Sequence, residues 1–161
     1  MSLPVVILAL VTLQRLGELW LADRNTRRLL SQGAYEVGRS HYLPVVAVHV
    51  LWLAVLWWLA PGRDVSIAWL ALYLLLQLAR AWVIGTLGRR WTTRIIILPG
   101  APLVRHGPYR FLNHPNYAVV IAEIVVLPLV FGLWQVALLF ALLNGAALAV
   151  RIRAENRALS H

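Results

Sequence analysis

The chain has 161 residues, of which 61% are hydrophobic and 13% charged, and its formal net charge is +9 with every basic residue an Arg. A soluble domain carries about twice that charged fraction, and the apolar residues fall in long blocks rather than at helix or strand periods, so an ordinary soluble fold is excluded and an integral membrane protein is expected. Cys is absent, which removes disulfides, thiolate metal sites and Cys nucleophiles.

The first apolar block runs from about Ser2 to Ala22. At 1.5 Å per residue it reaches roughly 30 Å, enough to cross the hydrocarbon core. No basic n-region precedes it, so it reads as a retained span rather than a signal peptide. Arg15 and Glu18 lie three apart near its far end. They pair along one helix face, either as a snorkelling pair at the interface or as the lining of a polar cavity. Asp23 to Ser40 is expected to be a loop holding Arg24, Arg27, Arg28 and Arg39, broken by Gly33 and Gly38. The second block, about Leu43 to Ala60, follows His41-Tyr42 and carries His49 within the membrane. Such a His bonds a neighbouring helix or contacts a substrate.

Pro61-Gly62-Arg63-Asp64 is a tight polar turn, and the third block runs from about Val65 to Leu87 with Gln77 and Arg80 inside it. The longest non-apolar stretch, Gly88 to Asn116, then holds five Arg and no acid. Its Ile95-Ile96-Ile97-Leu98 is too short to span and is either strand-like or interfacial. The last two blocks, about Tyr117 to Phe131 and Leu133 to Val150, are separated by Gly132 alone, which predicts a tight helical hairpin. The fourth is short and contains Glu123 and Pro128, so it tilts or dips into the bilayer. The last helix continues past Val150 into a basic tail that sets Arg151 and Glu155 on one face. The fold expected is therefore one all-α membrane domain over residues 1–161 with about five transmembrane helices.

Five crossings put Asp23–Ser40, Gly88–Asn116 and the C-terminal tail on one side. Twelve of the fifteen Arg lie in those segments. This asymmetry makes that side cytoplasmic, with the N-terminus outside and the C-terminus inside. Arg facing anionic headgroups accounts for the charge, and no nucleic-acid partner is expected.

The stretch from Arg105 to Tyr117 carries two His, two Tyr and two Arg among two Pro and a Gly, pressed against the cytoplasmic face. Arg there suits a carboxylate, and Tyr and His supply hydrogen bonds and aromatic faces. Neither a Walker loop nor a GxGxxG fingerprint occurs. No carboxylate lies near His106 and His114 in sequence, so no metal site is expected. The polar set suits an organic cofactor that brings its own reactivity.

Gly107-Pro108-Tyr109-Arg110-Phe111, then His114-Pro115-Asn116-Tyr117 and Glu123, resembles the core signature of the isoprenylcysteine carboxyl methyltransferase family. Arg151-Ile152-x-x-Glu155 resembles its C-terminal signature, and Arg15-Leu16-Gly17-Glu18-Leu19 with Gly33-Ala34-x-Glu36-x-Gly38 resembles a bacterial branch, to be found in the inner membrane. The resemblance is densest from about Arg94 to Leu159. It implies a membrane enzyme using S-adenosylmethionine. Carried over, Ala101, Pro102, Leu103, Val104, Tyr109, His114, Pro115, Asn116, Tyr117 and Glu155 would contact the cofactor, and Arg151 would face the methyl acceptor. Two positions depart from the common pattern: Asn113 stands where many members have Arg, and Asn156 where many have a second acid.

With a sulfonium donor, the protein must bring a nucleophilic oxygen in line with the methyl group and exclude water. A carboxylate acceptor needs no base and could be held bidentately by Arg151. A phenol or enol acceptor must lose a proton, and Glu123 is the candidate base, against a structural hydrogen bond to a neighbouring helix or loop. The expected reaction is methylation of a carboxyl or acidic hydroxyl on a lipophilic molecule that enters from the bilayer. The alternatives are a phospholipid N-methyltransferase, a thiol S-methyltransferase, and a non-enzymatic membrane assembly or lipid-binding protein.

Overall fold

A computed structural model describes residues 2–39 and 42–159, with side chains through residue 153. Five helices carry the fold: α1 (Leu3–Ser31), α2 (Tyr42–Leu59), α3 (Ile67–Leu87), α4 (Pro115–Val130) and α5 (Trp134–Leu159). Four of these, all but α4, are long and apolar enough to cross a membrane. At 16 residues α4 measures about 24 Å, less than the roughly 30 Å hydrocarbon core. Large apolar side chains such as Leu13, Trp20, Leu78, Trp82 and Leu142 are exposed on the outer faces of the helices, as expected where the surroundings are lipid.

The stretch Asp23–Ser40 is not the loop expected. α1 continues without a break to Ser31, because no Gly or Pro falls between Ala22 and Ser31 and Asp23 pairs with Arg27 one turn on at 2.7 Å. The extension is also held from one side, with Asn25, Thr26 and Leu29 buried. It stops at Gly33, whose φ of +90° suits a residue lacking Cβ. Gly33 N–H donates to the Leu30 carbonyl and Ala34 N–H to that of Leu29, closing the helix end. The same device ends α4: Gly132 has φ +69°, its N–H donates to Leu129, and Leu133 N–H donates to Pro128. That gives the tight α4–α5 hairpin, and α5 then runs unbroken through Val150 to Leu159.

The Ile95–Leu98 run resolves as a strand. β1 (Tyr35–Val37) and β2 (Ile95–Ile97) pair antiparallel, with Tyr35 opposite Ile97 and Val37 opposite Ile95. This small sheet is the one departure from an all-α architecture among the described residues. It ties the 32–39 and 88–98 segments to the same end of the bundle, and α5 packs against both strands. The basic segments therefore share one end.

α4 is the most enclosed helix, packed between α3 and α5. Its Ile124, Leu127 and Val130 meet Leu8 and Val11 of α1, Trp52 and Leu56 of α2, Tyr73 of α3 and Phe140 of α5 in the apolar core. One polar layer crosses this bundle. Arg80 of α3 reaches Glu18 of α1 at 2.6 Å and Glu123 of α4 at 2.9 Å. Arg15 reaches Glu18 and Glu123 at 3.0 Å each. Gln77 donates to Glu123 at 2.8 Å, and Gln14 donates to both Glu18 and Gln77. Arg15 and Glu18 are thus not a pair snorkelling at the interface. They are two corners of a buried, charge-balanced network joining three helices.

Breaking such a network leaves an uncompensated charge in a low-dielectric interior, at about 3–5 kcal/mol. Arg80→Met should therefore sharply lower the thermal unfolding midpoint in detergent. Arg27→Ala, which removes the exposed partner of Asp23, should cost under about 1 kcal/mol.

Candidate active site

The segment between α3 and α4 is shaped by three glycines of positive φ, Gly88, Gly100 and Gly107. Gly107 is the most constrained. A Cβ there would lie 2.6 Å from Thr86 Oγ1 on α3, so this turn can press against the helix only as Gly. The turn Gly107–Arg110 follows, with Pro108 buried, and Pro115 opens α4 at its first turn, where a missing N–H costs nothing. The prolines and glycines of the signature thus set where the polar side chains between them stand.

Asn25, on the extension of α1, is 4% exposed. It donates to the carbonyls of Trp91 at 2.8 Å and Gly88 at 3.2 Å. This pins the start of the 88–116 segment to α1. Trp91 is buried beneath it with its indole N–H facing Asn116 Oδ1 at 3.5 Å. Arg94 donates to Glu36 at 3.1 Å and lies 4.9 Å from the centroid of the Tyr42 ring, bracing the sheet against α2.

Beneath this cover lies a cavity of about 1110 Å³. It extends from the basic end down between α1, α2 and α4. Of the residues that the resemblance assigned to the cofactor, Ala101, Leu103, Val104, Tyr109, His114, Asn116 and Tyr117 all line it. Pro102 and Pro115 are not on its wall. Pro102 presents its carbonyl to Arg90 at 2.8 Å, and Pro115 is buried in the first turn of α4. Glu155 lies outside the described side chains, although the backbone of α5 passes through it. The His114 and Tyr117 rings stack with centroids 5.5 Å apart.

Arg151 lines the same cavity and is 6% exposed. Its Nε donates to Tyr117 Oη at 2.9 Å, and Nη2 donates to the Thr93 carbonyl. Two segments far apart in sequence therefore fix one guanidinium at the cavity wall. Glu123, the candidate base, lies off the wall. Both its oxygens accept from side chains of α1 and α3. His49 lines the cavity, and its Nδ1 lies 2.8 Å from the carbonyl of Val45 in its own helix rather than against a neighbouring one.

Sequence reasoning missed Asn25, Trp91 and Thr93 as parts of the site, and missed the partnership of Arg80 with Glu18 and Glu123. One signal for the last was present. Arg15, Arg80, Glu18 and Glu123 lie inside apolar blocks and their charges cancel, and charges in lipid pair.

Fold and site together define an integral membrane protein with a polar cavity at one end of a helix bundle. The family model for isoprenylcysteine carboxyl methyltransferases matches residues 69–161, and the chain belongs to that family of membrane methyltransferases. It is 39% identical to the uncharacterized protein YpbQ of Bacillus subtilis (strain 168), over 96% of this chain and 95% of that protein. It is 28% identical to an uncharacterized protein of Haemophilus influenzae, over 91% of this chain and 89% of that one. No solved structure matches the chain.

Gly107→Ala tests the cover. A non-glycine residue at a φ of +58° costs about 1–2 kcal/mol, on top of the contact with Thr86. Faster amide hydrogen exchange across residues 101–113 is the expected result. Adding Thr86→Ala should recover only part of the protection, because the backbone strain stays.

Proposed function

We propose that this chain transfers a methyl group from S-adenosylmethionine to an ionised or ionisable oxygen of a lipophilic molecule. One observation carries the reading: the signature loop, the first turns of α4 and the buried Arg151 converge on a single cavity that also reaches down among the membrane helices. A volume of about 1110 Å³ exceeds that of a typical single-ligand pocket, so it has room for a cofactor and part of an acceptor. Its wall includes Leu16, Leu19 and Val50, which are exposed on the lipid-facing side, and an acceptor could enter sideways there, between α1 and α2. The basic end would face the cytoplasm, where the cofactor is made, with the N-terminus on the opposite side.

The donor set fits the cofactor. Arg90, Arg105 and Arg110 on the wall can take its carboxylate. The stacked His114 and Tyr117 offer aromatic faces to its adenine, and Tyr109 stands on the same wall. When bound, the cofactor supplies an electrophilic methyl group on sulfur. What the protein supplies is position and water exclusion. Arg151, already held by Tyr117 and Thr93, can hold an anionic oxygen without first losing side-chain freedom. A neutral amine acceptor would gain nothing from that cation, which favours oxygen as the nucleophile.

Calorimetric titration of S-adenosylhomocysteine into the detergent-purified protein tests the reading. The wild type should bind saturably, and Tyr109→Ala should weaken binding about tenfold or more, the loss of a contact of about 1.4 kcal/mol. Arg151→Ala should keep the cofactor affinity within a few-fold and lose methyl transfer by about a hundredfold. A well-folded wild type with no affinity in detergent or bilayers would refute the proposal.

A further inference from the structure

A phenol or enol acceptor needs a base, and the carboxylates of the bundle are already engaged. Glu123 takes three donors and is off the cavity wall. Glu18 reaches the wall, yet both its oxygens are bonded by Arg15, Arg80 and Gln14. Protonating either would break ion pairs inside the membrane. His49 is different. It lines the cavity, and its Nδ1 faces the Val45 carbonyl at 2.8 Å. A carbonyl only accepts, so Nδ1 must carry the hydrogen, and in a neutral ring Nε2 then holds a lone pair.

We infer that His49 is the general base for hydroxyl acceptors, its Nε2 taking the proton of an O–H group on a lipid lodged in the lower half of the cavity. The inference rests on the methyltransferase reading above and names a residue that reading does not need for carboxylates. The reach is reasonable. Tyr42, on the same helix, meets Thr93 at 3.3 Å, and Thr93 also holds Arg151. His49 lies two turns, about 10 Å, further into the membrane along α2. The reacting oxygen would sit between these two levels. In the transfer the O–H bond breaks and its proton goes to Nε2. The oxygen's electron pair forms the bond to the methyl carbon as the carbon–sulfur bond breaks, its electrons staying on sulfur. The imidazolium so formed keeps its bond to Val45. The charged groups that act on it are Arg15 of α1, Arg80 of α3 and Glu123 of α4, two cations against one anion, so the imidazolium meets a net repulsion and gives its proton up again readily.

The test uses the full chain in lipid nanodiscs, tritiated S-adenosylmethionine, and two probes of matched length, 3-pentadecylphenol and hexadecanoate. The phenol must be deprotonated and the carboxylate arrives ionised. His49→Leu should lower the ratio of phenol to carboxylate methylation about a hundredfold at pH 7.5, the usual size of a general-base contribution. Raising the pH toward 10, where a phenol ionises in solution, should restore most of that ratio. S-adenosylhomocysteine titration and thermal unfolding of the variant report cofactor binding and folding separately. An unchanged ratio, equal loss with both probes, loss that high pH does not restore, or a cofactor-binding wild type that methylates no phenol overturns the assignment. A wild type that binds no S-adenosylhomocysteine overturns the underlying reading instead.

Discussion

Four ionised side chains inside a lipid-facing bundle set the terms for everything else in this molecule. Arg15, Glu18, Arg80 and Glu123 sit among apolar helices, where an unpaired charge is costly, and every carboxylate oxygen of the two Glu has at least one donor within 3.0 Å. In lipid there is little hydrophobic force between helices, because acyl chains are as apolar as Leu. Position must then come from contacts that tolerate one geometry. Arg80, bridging Glu18 and Glu123, fixes α1 and α4 against α3 in rotation and in depth. With these three helices held, α1 and α2 need few direct contacts, and the space left between them becomes part of the cavity.

The second constraint acts at the basic end, where irregular backbone meets the helix ends. A loop of about 27 residues without long elements is unusual in a compact domain, and here it is fastened at several points. Asn25 holds its start, β1 holds its middle, and Gly107 lets its end lie against Thr86. α1 has to overshoot the membrane to supply Asn25. The extension that looked like a loop is therefore what makes the cover over the cavity possible.

The helices were legible in the sequence because length and hydropathy alone mark them, and Gly132 between two apolar blocks left room only for a turn. Most of the signature residues named from the sequence line one cavity. What escaped was pairing. A strand of three residues such as Ile95–Ile97 has no pattern of its own until Tyr35–Val37 lies beside it. Arg24, Arg27 and Arg28 suggested a loop by their charge, although nothing in Ala22–Ser31 breaks a helix. The partners of Arg80 lie 62 and 43 residues away, and helices apolar all round give no amphipathic face from which to read which side meets which. Glu123 was correctly suspect as an intramembrane acid, but whether such a group is a base or a tie depends on donors that other helices bring.

The same distribution of charge grades the cavity along its length. Among the described residues, seven Arg and one Glu stand on its wall. Arg15 and Arg80, at depth, are neutralised by Glu18 and Glu123, and Arg94 is met by Glu36. Arg90, Arg105, Arg110 and Arg151 remain toward the basic end, where Arg90 donates to the Pro102 carbonyl and Arg151 to the Thr93 carbonyl and the Tyr117 hydroxyl, all uncharged oxygens. The lower half is thus polar but neutral, the upper half positive. On the proposed reading, an amphiphile entering from the lipid finds its anionic or acidic oxygen drawn up toward Arg151, no farther than His49 can reach, and its chain left at the opening beside Leu16, Leu19 and Val50. A cofactor sulfonium would sit poorly beside those cations alone. An acceptor oxygen that is negative, or becomes so as it loses its proton, supplies the missing counter-charge between Arg151 and the sulfur, so the field that makes the upper cavity a poor site for a cation by itself favours the pair and the transfer between them.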